Sequence, residues 1–180
     1  PAPVEQPAQP PEKAARPPEA GDSSPRKAML TRAYGSARAA VIQPERGMFV
    51  TLYFFNNWLP LLGHSAATVI LAARSMCYWN PLKGVLRNQV ETDMADLARR
   101  ASVSVRTVKD VLANELVQQY FLRYKVRRTM TPNGVRTAGI WMTVRMDDPL
   151  TPEDQQRSGT SEDERWLPAE FMDERGDDDD

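Results

Sequence analysis

The sequence has little of what most catalytic and metal-binding sites require. It contains one cysteine, Cys77, and one histidine, His64, so an intramolecular disulfide is excluded and a zinc site lacks ligands. It also has no P-loop, no dinucleotide-binding glycine pattern and no Ser, His and Asp set for nucleophilic catalysis. We therefore expect no enzyme, no cofactor, no bound metal and no catalytic residue.

Long apolar runs are missing as well. No stretch approaches the roughly 18 apolar residues that a membrane-spanning helix needs. A chain with a single thiol fits a reducing compartment, where disulfides are rare. We therefore expect a cytoplasmic protein that has no membrane partner.

Aromatic residues are absent from the first 25 residues, which hold eight of the 15 prolines and only one β-branched residue, Val4. Such a segment cannot bury enough apolar surface to offset the entropy lost on ordering. We interpret residues 1–47 as a disordered Pro/Ala-rich leader and linker, with a short helix over residues 27–34. Residues 151–180 are interpreted as an acidic disordered tail, which leaves one folded domain over residues 48–150.

The net charge of −1 conceals two regions of opposite sign. Residues 86–146 contain 11 Lys/Arg and 5 Asp/Glu, a net charge of +6. Residues 147–180 contain 3 Lys/Arg and 14 Asp/Glu, a net charge of −11. A basic folded region attracts phosphate groups, so the charge of the domain is more informative than that of the chain.

The first part of the domain contains two apolar segments. Residues 48–56 (MFVTLYFFN) fit a buried strand or a helix, and so short a run does not decide between them. Residues 65–78 predict a helix that ends before Asn80-Pro81, and a strand is predicted near residues 88–91. Apolar residues at spacings of three and four give that helix one buried side: Ala66, Val69, Ile70, Ala73, Met76 and Cys77.

Residues 93–114 (DMADLARRASVSVRTVKDVLAN) predict two short helices joined by a tight turn. Thr92 is the expected cap of the first helix, which ends near Ala101, and Ser104 is the expected cap of the second. Small and aliphatic residues recur where the two helices must pack against the core: Leu97, Ala98, Ala101, Val103, Val108, Val111 and Leu112.

A β-hairpin is predicted next, since residues 121–130 and 135–146 alternate in polarity around Pro132-Asn133-Gly134. Their apolar faces coincide only when paired residue numbers sum to an even value. We therefore expect a three-residue loop that pairs Thr131 with Val135 and leaves Gly134 in the left-handed region.

Residues 93–146 resemble the helix-turn-helix family and, because a hairpin follows the helices, its winged-helix branch. Ser102 departs from the family's preferred glycine in the turn. The resemblance implies a single α+β winged-helix domain that binds double-stranded DNA sequence-selectively. The second helix would read bases in the major groove, and the hairpin would hold phosphates. The implied DNA-binding residues are Ser104, Arg106, Thr107, Lys109, Arg123, Lys125, Arg127, Arg128 and Arg136, with Arg145 as a sixth basic residue of the hairpin region.

Winged helices serve replication initiators and transcriptional regulators of bacterial chromosomes and plasmids. The apolar block at residues 48–78 resembles the winged-helix part of plasmid or phage replication initiators, which implies a nucleoid-associated replication initiator ahead of a transcription factor. No ligand-sensing domain is evident. The alternative is a protein-interaction module of a larger nucleoprotein assembly. Trp141 is expected to pack beneath the arginine stems of the hairpin, with stacking on a base or sugar as the alternative. The sequence does not decide whether the chain forms a homodimer in which the first helix pairs with its own copy.

The acidic tail contains one weak candidate site for a protein partner, formed by Trp166, Leu167 and Phe171. Its terminal aspartates, Asp177 to Asp180, either improve solubility or compete with phosphate for the basic face.

Overall fold

A computed structural model describes residues 24–162 and 166–167 of the chain. The fold is α+β, and this described part contains eight α-helices and two small antiparallel sheets. The chain divides into two compact units, residues 1–47 and residues 48–180. Within the described part, no helix has both the length and the apolar character needed to cross a membrane.

The first unit contains two helices, α1 (Pro25–Tyr34) and α2 (Ser36–Ile42). The hydroxyl of Ser24 caps α1 by accepting a hydrogen bond from the amide of Lys27, and Pro25 takes the first helical position, where no N–H is required. The helix predicted over residues 27–34 is therefore present. The Pro-rich leader, for which the sequence predicts disorder, lies almost entirely in residues 1–23, outside the described residues.

The second unit opens with a helical segment, which decides the question left open for residues 48–56. A π-helix spans Phe54–Trp58 and continues into α3 (Leu59–Leu62). Phe54 and Trp58 lie four residues apart and are both fully buried. Their rings meet that of Phe121 with centroid distances of 5.9 and 4.7 Å, so this segment closes one side of the core.

Helix α4 (His64–Ser75) buries four of the six residues predicted for its inner side, while Met76 and Cys77 are only half-buried. The helix is shorter than predicted, because Tyr78 already begins a strand. Strands β1 (Tyr78–Asn80) and β2 (Val85–Arg87) form a small antiparallel hairpin, and Pro81 lies in its turn.

The larger sheet has the order β3-β5-β4. Its strands are β3 (Gln89–Thr92), β4 (Leu122–Thr131) and β5 (Gly134–Val144), all antiparallel to their neighbours. Three helices connect β3 to β4, namely α5 (Met94–Ala101), α6 (Val105–Leu112) and α7 (Glu115–Tyr120). Helix α4 packs against α5, α6 and β5, and the apolar residues between them form the core.

The chain after β5 is ordered where the sequence predicts disorder. Helix α8 (Pro152–Ser158) follows the sheet, and Thr151 caps it by accepting from the amide of Asp154. Trp58 Nε1 donates to the carbonyl of Pro149 at 2.6 Å, and the hydroxyl of Tyr53 donates to Asp154 at 2.5 Å. The hydrogen bond from Tyr53 lowers the pKa of Asp154. Disorder is therefore wrong for the start of residues 151–180, because buried aromatic residues supply partners that composition does not reveal.

Arg74 is the centre of a buried polar network that fastens the same segment. Its guanidinium donates to the carbonyl of Arg145 at 2.8 Å and to the carboxylate of Asp148 at 2.6 Å. Asp148 also accepts from the amide and the hydroxyl of Thr51, at 2.8 and 2.7 Å. The network joins α4, the chain before the π-helix and the chain after β5.

Candidate nucleic-acid interface

The turn between α5 and α6 has the tight geometry that the sequence predicts. Helix α5 ends at Ala101, and Ser102 follows in the left-handed region with φ 54° and ψ 42°. The predicted cap of α5 is wrong by one residue. Asp93 accepts from the amide of Asp96 at 2.7 Å, whereas Thr92 is the last residue of β3.

The inner side of this helix pair also agrees with the sequence. Val103, in the turn, is half-buried and packs against the core. The other six predicted inward residues are all buried: Leu97, Ala98, Ala101, Val108, Val111 and Leu112. Because the apolar side of α6 is fixed against the core, its opposite side must face outward.

The outward side of α6 presents Arg106, Lys109 and Asp110, all of them exposed. Within residues 24–162 and 166–167, neither Arg106 nor Lys109 has an ion-pair partner. A free guanidinium and a free ammonium on one helix face can donate hydrogen bonds to phosphate or to base edges.

Ser104 and Thr107 are engaged with each other at the start of α6. Ser104 Oγ accepts from the amide of Thr107 at 3.0 Å, which confirms the predicted cap. The two hydroxyls also share a hydrogen bond of 2.8 Å. Their first role is therefore to start the helix, and Thr107 is half-buried.

Helix α5 carries two arginines that are engaged locally. Asp96 accepts from Arg100 at 2.8 Å and also pairs with Arg99. The hydrogen bond from Arg100, followed by that from Arg99, holds the pKa of Asp96 below its ordinary value. These arginines belong to a cluster that contains its own carboxylate, unlike Arg106 and Lys109.

The β4–β5 hairpin is present, but the predicted loop is wrong. The loop has two residues, Pro132 and Asn133, and the tip pairs Thr131 with Gly134, an odd sum. Nearer the core, Leu122 pairs with Val144, an even sum as the apolar faces require. A bulge opposite Arg127 and Arg128 changes the register between the two parts.

Gly139 lies at this bulge, and the structure explains why a glycine is needed there. Its φ is +150°, and a Cβ atom at this position would lie 2.8 Å from the carbonyl oxygen of Thr92. The close approach lets β5 pair with β3 and β4 at once. Gly134 has a positive φ of 109°, as predicted, although it lies in the strand and not in a three-residue loop.

The distal half of the hairpin extends beyond the core, so its apolar residues are exposed together with its basic ones. Val126, which continues the alternating apolar face of Leu122 and Tyr124, is exposed, as are Met130 and Val135. Arg128 and Arg136 are exposed near the tip, and neither has an ion-pair partner in the described part of the chain. Two cations at the end of an extended hairpin can reach phosphates away from the helices.

The outer sheet face is the side of the β3-β5-β4 sheet that points away from the core. By register it carries Gln89, Glu91, Arg123, Lys125, Arg127, Trp141 and Thr143. Arg127 is exposed but pairs with Glu91, and Arg123 is half-buried. Trp141 is 41% exposed, and the register places it between Glu91 and Lys125.

Arg145, expected to add a sixth cation to the hairpin region, is buried. It donates to Asp147 at 3.0 Å and to Glu162 at 2.6 Å. Burial by itself lowers the pKa of Arg145, but the hydrogen bonds and charges of Asp147 and Glu162 together outweigh it and raise the pKa. The expectation of phosphate contact is therefore wrong for this residue, because the acidic chain after β5 neutralises it.

Leu167, one of three residues predicted to bind a partner, is already covered by this chain. It is only 5% exposed, and the carbonyl of the preceding Trp166 accepts from Asn88 Nδ2 at 3.0 Å. Phe171, the third member, lies outside the described residues. A buried Leu167 is anchored in the chain itself, so it is not available to a partner in this state.

The residues that could perform metal or thiol chemistry are few. In the described ranges, no group of three or more His, Cys, Asp and Glu residues could hold a metal ion. Burial raises the pKa of Cys77 to about 11, which keeps the thiol protonated at neutral pH. His64 is exposed in the first turn of α4.

Sequence reasoning missed Arg74, Asp148 and Tyr53, which fix the frame on which α6 and the hairpin are held. No local pattern could identify them, because their partners lie about 70 to 100 residues away in the chain. Comparison of the chain with models of protein families, with curated proteins and with solved structures gives no match.

Proposed function

We propose that this chain binds double-stranded DNA sequence-selectively through a winged-helix domain. The order α4, β3, α5, α6, β4, β5, with β3 paired to β5, supports this proposal, and the small β1–β2 hairpin is inserted between α4 and β3. Helix α7 is an addition between α6 and the hairpin. The observation that carries the proposal is the outward side of α6, where Arg106 and Lys109 are exposed and unpaired among the described residues.

In this proposal α6 enters the major groove. Arg106 is the principal base-reading residue, because a guanidinium can donate two hydrogen bonds to O6 and N7 of guanine. Lys109, one turn further, contacts a base edge or a phosphate. Val105 is partly exposed beside them and suits an apolar contact with a thymine methyl group. Ser104 and Thr107 support the end of the helix that meets the DNA.

The hairpin is the wing, and it contributes phosphate contacts. Arg128 and Arg136 lie near its tip and are exposed, so they are the first candidates. Arg127 can join them only when it leaves Glu91. Contacts of this kind position a protein on DNA without reading sequence.

The process that such binding serves is, in this proposal, replication initiation or transcriptional regulation in a bacterial nucleoid. This part rests on the resemblance of residues 93–146 to winged-helix proteins. Selection of bound sequences from a random duplex pool tests sequence-selective binding. We expect one enriched motif about as long as the span of α6 and the wing, and a pool that shows no enrichment contradicts it.

A second candidate function, assembly through protein contacts, is favoured by one observation. The start of the second unit exposes Phe49, just before the helical segment, and Leu52, Phe55 and Leu61 within it, which is unusual for side chains of this size. The occupant that we favour is a second copy of this chain, since a dimer would place two copies of α6 on two half-sites. Sedimentation of the full chain and of Leu52→Ser tests this candidate. A monomer at micromolar concentration contradicts it.

A further inference from the structure

The chain after β5 returns to the sheet from which it came. Arg145 and the amide of Leu150 both donate to the carboxylate of Glu162, each at 2.6 Å. The intervening chain is held at three points: Arg74 and Trp58 donate to the carbonyls of Asp147 and Pro149, and the hydroxyl of Tyr53 accepts from the amide of Thr151. Residues 147–162 therefore form a fixed strap rather than a free tail.

After the strap, residues 166 and 167 lie near the beginning of β3. Asn88 directly precedes β3, its carbonyl accepts from the amide of Val144, and its side chain donates to Trp166. Leu167 is buried at the same end of the sheet. The next residues of the chain thus start beside the first row of the outer sheet face, which contains Gln89, Thr143 and Arg123.

That first row contains polar atoms that lack partners. Arg123 Nε and Thr143 Oγ1 are buried without a hydrogen-bond partner, and the two residues face each other across β4 and β5. A buried guanidinium N–H without an acceptor is costly, and a carboxylate is its strongest acceptor. Lys125 and Arg127 occupy the next positions of the same face.

Charge and length both allow the remaining chain to occupy this face. Residues 168–180 contain seven Asp/Glu and one Arg, a net charge of −6. Thirteen extended residues span at most roughly 45 Å. The path along β4 from Arg123 to Arg128 requires only roughly 17 Å.

We propose that the acidic segment formed by residues 168–180 docks on the outer sheet face and competes there with DNA phosphates. The inference rests on the proposed function and adds regulation to the same site. The segment and DNA phosphates exclude each other at Arg127, which the proposed function also assigns to phosphate contact once it leaves Glu91. Duplex binding by the full chain is thereby weakened, most strongly at low salt, where the segment binds best.

The test uses full-length chains only. In the neutral-tail variant the seven carboxylates become amides: Glu170→Gln, Asp173→Asn, Glu174→Gln, Asp177→Asn, Asp178→Asn, Asp179→Asn and Asp180→Asn. If the segment occupies the face about nine-tenths of the time, this variant binds a duplex about tenfold more tightly at low salt. The difference in duplex affinity between this variant and the parent chain becomes smaller as the salt concentration rises. Equal affinities for the two chains overturn the proposal.

A second variant separates docking from a general effect of net charge. Leu167→Ser keeps every carboxylate but removes the apolar anchor that delivers the segment to β3. We expect it to bind the duplex at least threefold more tightly than the parent at low salt, with an unchanged far-ultraviolet spectrum. A tighter neutral-tail variant beside an unchanged Leu167→Ser variant contradicts docking.

A DNA-free readout distinguishes failure of this inference from failure of the proposed function. Amide chemical shifts of Arg123 to Arg128 and of Trp141 are compared between the parent and the neutral-tail variant. Docking predicts shifts that are concentrated in these residues, and their absence overturns it. If the shifts are present and neither chain binds a duplex, docking holds as an intramolecular contact and DNA binding is the claim that fails.

Discussion

At the scale of single residues, the turn between α5 and α6 depends on Ser102, whose backbone is left-handed. A residue with a Cβ atom is strained there by roughly 1–2 kcal/mol, whereas glycine is not. The hydroxyl of Ser102 makes no hydrogen bond with another residue of the described chain that could compensate. Ser102 therefore introduces conformational strain into the turn that orients α6.

Replacement of Ser102 by glycine should stabilise the domain. We expect Ser102→Gly to raise the free energy of unfolding by about 0.5–1 kcal/mol, because relief of strain exceeds the added entropy of the unfolded chain. Urea denaturation followed by circular dichroism measures the change. A loss of stability would show that the serine side chain contributes something that the geometry does not reveal.

Arg106 is the residue on which base reading depends in our account. Arg106→Ala should reduce affinity for the selected duplex by about 1–3 kcal/mol and leave affinity for a scrambled duplex nearly unchanged. Fluorescence anisotropy with both duplexes measures the two affinities.

The matched control for Arg106→Ala is Arg157→Ala. Arg157 is an exposed arginine of α8 whose partners are Glu153 and Asp154, and surface ion pairs of this kind contribute little to stability. Equal losses of affinity in the two variants would remove Arg106 from base recognition.

At the scale of elements, the hairpin shows where sequence reasoning succeeds and where it stops. From the alternation of apolar residues we predict that the numbers of paired residues sum to an even value. This is correct near the core, where burial of one face decides the register. At the exposed tip no buried face constrains the pairing. Pro132 and Asn133 there form a two-residue loop, and the numbers of the paired residues sum to an odd value. The bulge that reconciles the two registers cannot be predicted from alternation alone.

Gly139 can be tested as the residue that makes this bulge compatible with β3. In Gly139→Ala the new methyl group would meet the carbonyl of Thr92, and the backbone is already at positive φ. We expect a loss of roughly 2–3 kcal/mol in the free energy of unfolding. Thermal and urea denaturation both report it.

Gly134→Ala is the comparison for this prediction, since Gly134 also has a positive φ but an added Cβ would meet nothing within 4 Å. We expect a smaller loss there. If the two alanine variants are equally destabilised, the contact with Thr92 is not the constraint.

The helix pair was predictable in more detail than the rest of the fold. The signals used here are local: helix caps, small residues where the helices cross, and apolar residues at spacings of three and four. They predicted α5, α6 and the outward position of Arg106 correctly. The start of α4 and the helix at residues 27–34 were also local. The end of α4 was not, because strand pairing of Tyr78 with Arg87 takes precedence over helical spacing.

At the scale of the whole molecule, the frame is closed by polar contacts between distant parts of the second unit. Arg74 is 1% exposed and lies near the rings of Phe54 and Phe121, at 5.6 and 5.7 Å from their centroids. Its donors satisfy Asp148 and two carbonyl oxygens after β5. Composition shows only that the chain from residue 147 onward is acidic, since no count of residues reveals that an arginine in α4 requires those acceptors.

Removal of this arginine should be among the most damaging single changes in the domain. Arg74→Met keeps much of the side-chain volume but leaves Asp148 buried without its cation, so we expect a loss of about 3–5 kcal/mol. Chemical denaturation measures it, with Arg157→Ala as an exposed arginine control. A loss below about 1 kcal/mol would mean that the network is not what fastens the chain after β5.

The central claim is that α6 and the wing present a surface that binds the phosphates and bases of duplex DNA. Its most direct test is the affinity of the full chain for a duplex as a function of salt. Each phosphate contact contributes about −0.9 to the slope of log affinity against log salt concentration. We predict a slope steeper than about −3, reduced by about 0.9 in Arg128→Ala and in Arg136→Ala and unchanged in Arg157→Ala. Duplex binding that is absent, or that does not change with salt, would contradict the account.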